Sequence, residues 1–459
     1  MGPLGNSTHM LQISVPKYFL CPISLELMSD PVTLRSGQTF DRSSIQQWLD
    51  DGNSTCPVTR MPIDPDQDEP IPNHALRRMI QNWCVQNRAC GVERIRTPRQ
   101  PPSLKDIPNL LEQVRLKYAG TDQDSWSHDR THLQNGRGDA LEKLCMLASD
   151  RPKARNLLVR ADALPVIFLC LSRSLALVGR TETLPPTEIE DILHLLALLI
   201  EEAEIGQTRV SWQPGSPEDV HVLAKVMAGT RTNIDVSRDA ALVLSKAEGL
   251  VDCMKRISGE ISGCMSTAAC LLLEASGVPV GQGTFTTPRP SEYHAKAGLD
   301  FLLALCKPSS QMQRLATDAG VLNALCNVLR TFHHESPQQH SLTANAVNVI
   351  EAALRVWVCL CRCADGRLAS WDFLGPVIGV ICNVSRKAST YSIHILWLLL
   401  KHAPVGAHLA RNVVDQGAYS KVMSIAHYHP SPKTRNVANK IINCIMRFVP
   451  QSQICIKMH

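Results

Sequence analysis

The chain has 459 residues, 44% of them hydrophobic and 19% charged, with a formal net charge of +5. That length accommodates two or three domains with a sizeable core, and the hydrophobic fraction excludes wholesale disorder. The charge excess is too mild for a nucleic-acid footprint, and no stretch reaches the roughly 18 uncharged apolar residues that a membrane span needs.

The 17 cysteines are odd in number and scattered without framework spacing, many within apolar runs, as Cys170, Cys270, Cys306 and Cys326 are. A buried free thiol packs as a small hydrophobe. This usage points to a reducing, intracellular compartment, read as cytoplasmic, with nuclear or peripheral membrane association left open. Residues 1–13, which contain Gly2-Pro3-Leu4-Gly5 and His9-Met10, read as a tag remnant and are set aside.

Residues 14–88 are compact and rich in motifs. Val32-Thr33-Leu34 and Gln38-Thr39-Phe40 flank Arg35-Ser36-Gly37, which predicts a hairpin. Asp41 then suits an N-cap whose carboxylate accepts from the next turn. Ile45, Trp48 and Leu49 follow as one helical stripe; Asn73 is a second N-cap, and Leu76, Ile80 and Trp83 form a second stripe. A linker is expected over 89–135, with a short helix around Leu104–Tyr118. The segment Asp64–Glu69 reads as a solvated acidic loop. His128 and His132 lie four residues apart in the linker with no third ligand.

From 136 to about 449 the chain becomes helical and rich in Leu and Ala, and 450–459 is a tail. Small-residue turns recur at Arg160–Val166, Asp318–Ala324 and Asp415–Lys421. Leu-rich helices begin near 295, 347 and 390, a spacing that suits stacked helical repeats of roughly 40–47 residues. Gly277–Pro290 reads as an insertion. Cys359, Cys361 and Cys363 alternate inside an apolar helix and read as buried thiols.

Paired tetrahedral zinc sites need eight Cys or His ligands. Residues 11–90 offer Cys21, Cys56, Cys84, Cys90 and His74, with no C-x-x-C pair, so neither metal nor cofactor is expected. Hydrogen bonds and ion pairs must hold the loops, with Glu26, Asp30, Asp41 and Arg42 as candidates.

The wording Cys21-Pro-Ile-Ser-Leu-Glu-Leu-Met28, Thr39-Phe-Asp-Arg42, Cys56-Pro-Val-Thr-Arg60 and Ile71-Pro-Asn73 resembles the U-box, the zinc-free relative of the RING finger. The later repeats resemble armadillo repeats, and the combination resembles the plant U-box ubiquitin ligases. The fold this implies is mainly α: a small α+β U-box followed by an α-solenoid. The resemblance implies transfer of ubiquitin from a conjugating enzyme to a substrate, without a covalent intermediate on this chain. It also implies a conjugating-enzyme groove formed by Ile23, Leu25, Trp48 and Pro57. Core packing is the alternative for each, and Trp48 is balanced between the two. Arg60 stands where many family members carry a cation that bridges the conjugating enzyme and ubiquitin. A solvated surface arginine is its alternative.

Implied partners are a ubiquitin-conjugating enzyme, ubiquitin and protein substrates recruited by the repeats. Family members often target receptor kinases or trafficking factors in defence and stress signalling. Nucleic acid is not expected. Armadillo importers carry an asparagine ladder on their third helices, and here only Asn443 resembles one, which disfavours nuclear import. The competing reading is a non-catalytic armadillo scaffold whose U-box serves as a docking module.

Overall fold

The computed structural model of the chain describes residues 15–63, 70–88, 104–119, 138–181, 186–229, 233–277, 292–334, 342–403 and 406–449. The acidic segment 64–69, His128, His132 and nearly all of the 277–290 insertion lie outside them. The chain divides into two compact units, Met1–Pro102 and Ser103–His459. No described helix is long and apolar enough to cross a membrane.

In the first unit, β1 (Pro31–Thr33), β2 (Thr39–Asp41) and β3 (Ile71–Pro72) form an antiparallel sheet in the order β2-β1-β3. Val32 pairs with Phe40 on one side and Pro72 on the other. The hairpin turns at Gly37, whose φ of +79° suits a residue without a Cβ. Val32 and Phe40 meet Ile45 of α1 (Arg42–Asp50) and Ile80 of α2 (His74–Gln86) in a core distinct from that of the second unit. Asn73 caps α2, its Oδ1 accepting from Leu76 N at 3.0 Å.

Asp41 behaves differently from the sequence expectation. It occupies the N-cap position of α1, but its side chain accepts no helix amide. Oδ1 accepts instead from the amides of Ser29 and Asp30, each at 2.8 Å, and Oδ2 from the Ser43 hydroxyl at 2.7 Å. The chain entering β1 brings two amides together at this carboxylate, and a charged acceptor serving two donors outweighs a single capping bond. Asp30 is buried and joined to Arg42 Nε at 2.7 Å and to the buried Arg77 of α2. Glu26 stands apart, exposed.

The second unit begins with α3 (Ile107–Ala119), α4 (Gly138–Asp150), α5 (Pro152–Arg160), α6 (Ala163–Thr181), α7 (Pro186–Ile205), α8 (Pro217–Gly229) and α9 (Ile234–Ser245). It continues through α10 (Leu250–Arg256), α11 (Ser258–Ala275), α12 (Glu292–Cys306), α13 (Ser310–Asp318), α14 (Val321–His334) and α15 (Ala344–Leu360). The last described helices are α16 (Ala364–Ala369), α17 (Leu374–Val380), α18 (Arg386–Lys401), α19 (Gly406–Asp415), α20 (Ala418–Tyr428) and α21 (Pro432–Phe448). One layer stacks α4, α7, α9, α12, α15, α18 and α21 in succession, and a second stacks α3, α6, α8, α11, α14 and α17. Short helices such as α5, α13 and α19 lead into each longer pair. This is the expected armadillo α-solenoid, and the first layer holds its third helices. The helix α3 packs against α4 and α6, so it belongs to the stack.

Within the second unit each helical repeat carries an apolar face that the next repeat covers, so its core runs unbroken along the stack. Three of the turns from short to long helix use a left-handed residue. Gly320 and Gly417 supply it at φ +77° and +74°, and Asp162 takes the same role at +51°. Of the three alternating cysteines only Cys359 lies within α15. Cys361 follows its last residue, its thiol pushed up to about 12 by burial, and Cys363 Sγ caps α16 by accepting from Gly366 N.

Ion pairs tie the middle third helices together. Glu204 of α7 accepts from Lys246, just past α9, and from Lys296 of α12 at 2.7 Å. Burial pushes the Glu204 carboxyl up, but the bonds from these lysines outweigh it and hold it below the ordinary carboxylate range.

Two outcomes follow. Asp30→Ala leaves the buried Arg77 guanidinium without its partner and is expected to destabilise the first unit by about 3 kcal/mol. Hydrogen exchange across α2 in the intact chain reads this; unchanged protection would refute it. The Glu204 carboxyl titrates lower folded than unfolded, so its contribution is complete above its unfolded pKa of about 4.3 and fades as pH falls through the folded value. Glu204→Gln should therefore flatten the acid side of the stability–pH curve, measured by thermal melts.

Candidate conjugating-enzyme site

Two loops of the first unit are built alike. In the first, Leu20 bridges Leu27, Cys21 N donates to Glu26 O at 2.8 Å, and Leu25 N donates to Cys21 O at 2.9 Å. In the second, Thr55 bridges Pro62, Cys56 N donates to Met61 O at 2.8 Å, and Arg60 N donates to Cys56 O at 2.9 Å. Ser24 and Thr59 each accept from the amide two residues on, at 3.4 Å. The fifth residue of each loop is left-handed: Leu25 has φ +60° and Arg60 φ +58°. The pattern C-P-[IV]-[ST]-x thus makes one loop twice, ending once on an apolar side chain and once on a cation.

Each loop is anchored by its cysteine. Cys21 is fully buried and its Sγ accepts from Asp41 N at 3.3 Å; Cys56 Sγ accepts from the Ser36 hydroxyl at 3.3 Å. Burial pushes both thiols up, but hydrogen bonds outweigh it and hold them below their ordinary value. These come from the backbone of Ser24, Asp41 and Ile23 for Cys21, and from Ser36, Thr59 and Val58 for Cys56. The sulfurs therefore act as acceptors at the loop roots. Neither points to solvent, where a nucleophile would have to be.

The predicted residues divide by exposure. Leu25 is 73% exposed, and Arg60 is exposed. Ile23 and Pro57 are half-buried, Ile23 packing partly on the core. Trp48 is also half-buried; its ring meets the core while Nε1 donates to Thr55 O at 2.8 Å, linking α1 to the root of the second loop. Trp48 therefore packs against the core and braces the second loop, with part of the residue left accessible. Two side chains escaped the sequence reading. Val58 and Met61, on the second loop, are 51% and 48% exposed. The signal was available: aligning the two loop motifs sets Val58 opposite Ile23.

The arrangement is a surface with apolar side chains on two rigid loops, half-buried Trp48 between helix and loop, and one solvent-facing guanidinium. Among the described residues no cluster of three or more His, Cys, Asp or Glu could hold a metal ion.

Residues 15–89 match the model of the U-box domain, and residues 124–459 match that of the plant U-box protein ARM repeat region. U-box domain-containing protein 26 of Arabidopsis thaliana is 31% identical over 395 residues, covering 85% of this chain and 82% of that protein. U-box domain-containing protein 25 of the same plant is 32% identical over the same shares. E3 ubiquitin-protein ligase PUB24, also from Arabidopsis thaliana, is 28% identical over 433 residues, covering 90% of this chain and 88% of that protein.

The shared loop geometry yields a test on stability alone. A non-glycine residue held left-handed costs about 1 kcal/mol. Leu25→Gly should therefore be more stable than Leu25→Ala by about that amount, and Arg60→Gly more stable than Arg60→Ala. Equal melting temperatures within each pair would show that the loops do not impose this conformation.

Proposed function

The chain belongs to the plant U-box family of E3 ubiquitin ligases with armadillo repeats, and we propose that its first unit receives a ubiquitin-charged conjugating enzyme while its second recruits protein substrates. Support comes from one observation above the rest: apolar side chains and a single free cation share two loops whose roots are fixed by hydrogen bonds. Ile23, Leu25, Trp48 and Pro57 form the contact surface, with Val58 and Met61 extending it. An exposed leucine in a strained backbone conformation is poor packing, and contact with a partner gives it an apolar neighbour.

Arg60 acts on ubiquitin. A thioester joining ubiquitin's C-terminus to the carrier cysteine swings freely, and a substrate lysine attacks it productively from few orientations. A guanidinium offers several donors in one plane and stays charged at any working pH. Bonded to the carrier and to ubiquitin together, it holds the thioester in an attackable pose. The rate gain is orientational and requires no proton transfer by this chain. The lysine amine displaces the thiol, an isopeptide bond replaces the thioester, and no bond to this protein forms. The setting we propose, plant defence and stress signalling with receptor kinases or trafficking factors as substrates, rests on the family resemblance alone.

Reconstituted ubiquitination with the full chain tests the reading. The Ile23→Ala, Pro57→Ala double variant should lose self-modification because carrier binding fails; unaltered activity would reject the surface. Arg60→Ala should bind the carrier nearly as well but slow ubiquitin discharge about tenfold to a hundredfold. Lost binding would contradict its role. No discharge by the wild-type chain with any conjugating enzyme would favour a docking scaffold.

A further inference from the structure

The third helices differ in charge along the stack. The helix α7 carries six acidic residues and no Lys or Arg, whereas α15, α18 and α21 together carry eight Lys or Arg and one acidic residue, Glu351. In the middle of the stack neighbours neutralise one another: Arg238 is held by Asp239 at 2.6 Å, and Lys246 and Lys296 by Glu204. Toward the C-terminal end that compensation thins to a single carboxylate on the three helices, Glu351. Glu351 accepts from the Ser385 hydroxyl at 2.7 Å and reaches Lys387 at 3.9 Å.

The cations repeat at helical spacing on the solvent side. Lys433, Lys440 and Arg447 of α21 are all exposed and follow one another at seven-residue intervals, which keeps them on one side of the helix. Lys387 and Lys401 of α18 and Arg355 of α15 are exposed as well. Two contacts join these sides into one face. Glu351 to Lys387 links α15 with α18, and Lys440 Nζ lies 5.9 Å from the centroid of the Trp397 ring, linking α18 with α21. Trp397 is half-buried, so part of its ring remains open to solvent beside the lysine.

We propose that this α15–α18–α21 face docks an extended, Asp/Glu-rich segment of the protein to be ubiquitinated. The inference rests on the reading of the second unit as the substrate-recruiting one. Lone surface lysines are ordinary; three successive helices with almost no counter-charge create a positive field that an acidic chain relieves. Packed helices lie about 10 Å apart, and an extended chain advances about 3.3 Å per residue. Roughly every third side chain therefore meets a new helix, and about six to nine residues cross all three. Trp397 offers an apolar platform to one side chain between the carboxylates. A lipid surface fits less well. Among the described residues these helices expose large apolar side chains only at Met446 and Phe448, too few for interfacial insertion.

Fluorescence anisotropy of the full chain with a fluorescein-labelled peptide, Glu-Glu-Phe-Glu-Glu-Leu repeated twice, tests this. The acidic peptide should bind and its lysine counterpart should not. Binding should weaken as sodium chloride rises from about 50 to about 300 mM. The double variant Lys387→Glu, Lys440→Glu should weaken binding about tenfold, while Lys225→Glu on the exposed side of α8 should leave it unchanged. Equal affinity in the double variant, no binding of the acidic peptide, or preferential capture by phosphatidylserine vesicles would overturn the proposal. Ubiquitin discharge by the wild-type chain is measured alongside. Intact discharge without peptide binding sinks the docking face alone, and absent discharge sinks the ligase reading beneath it.

Discussion

The first unit depends on one buried carboxylate. Asp30 sits between Arg42 and Arg77, and the neighbouring Asp41 gathers the amides of Ser29 and Asp30. Together they bind the approach to β1, the start of α1 and the first turn of α2 into one body. A buried ion pair is a weak source of net stability, because desolvation consumes much of what attraction supplies. Its value here is geometric. Arg77 lies on α2 and is itself buried, so any packing that separates α2 from Asp30 strands a charge in an apolar interior. Alternatives are penalised more than the native arrangement is rewarded.

That constraint passes outward to the loops. Asp41 N donates to Cys21 Sγ, so the residue that organises the carboxylate network also anchors the first loop. Ser36, in the hairpin turn, anchors the second through Cys56, and Trp48 holds its root from α1. The loops can then carry left-handed Leu25 and Arg60 because their roots are fixed on several sides. Strain of this kind survives only where the surroundings over-determine the backbone. A flexible loop would relax both residues and lose the fixed distance between apolar surface and cation on which the proposed orientational mechanism depends.

Much of this was legible in the sequence, and the exceptions share a cause. The hairpin, the Asn73 cap and the two helical stripes rest on local rules and stand in the structure as expected. Asp41 obeyed a nonlocal rule: a residue with ideal capping chemistry turned away because two amides from 11 and 12 positions upstream needed an acceptor more. Cys363 was read as one more helical thiol, yet it caps the next helix, since α15 already ends at Leu360. The likeness between the two loops was present in the letters C-P-I-S and C-P-V-T. Its meaning depended on the backbone, where Leu25 and Arg60 prove to be the same position. The pairing of third helices could not be read at all, because partners such as Glu204 and Lys246 lie 42 residues apart.

On the proposed reading the two units recognise by different physics, and the difference follows from what each would recognise. A carrier surface is then one shape met repeatedly, and a few apolar contacts on strained, rigid loops would serve it at little conformational cost on binding. The substrates proposed for the second unit would vary, and a stack of helices can meet such variety by changing exposed residues while its buried ones stay the same. The interior of α15, α18 and α21 is as apolar as that of α7, yet their solvent sides are opposite in charge. Neighbour-to-neighbour packing makes this possible: a charge altered on one third helix disturbs at most the two beside it. Where Glu204, Lys246 and Lys296 close on each other, the surface is committed to holding the stack. Where the cations of α18 and α21 face solvent with Glu351 as the one carboxylate on these helices and α15, the same layer is left free to meet something else.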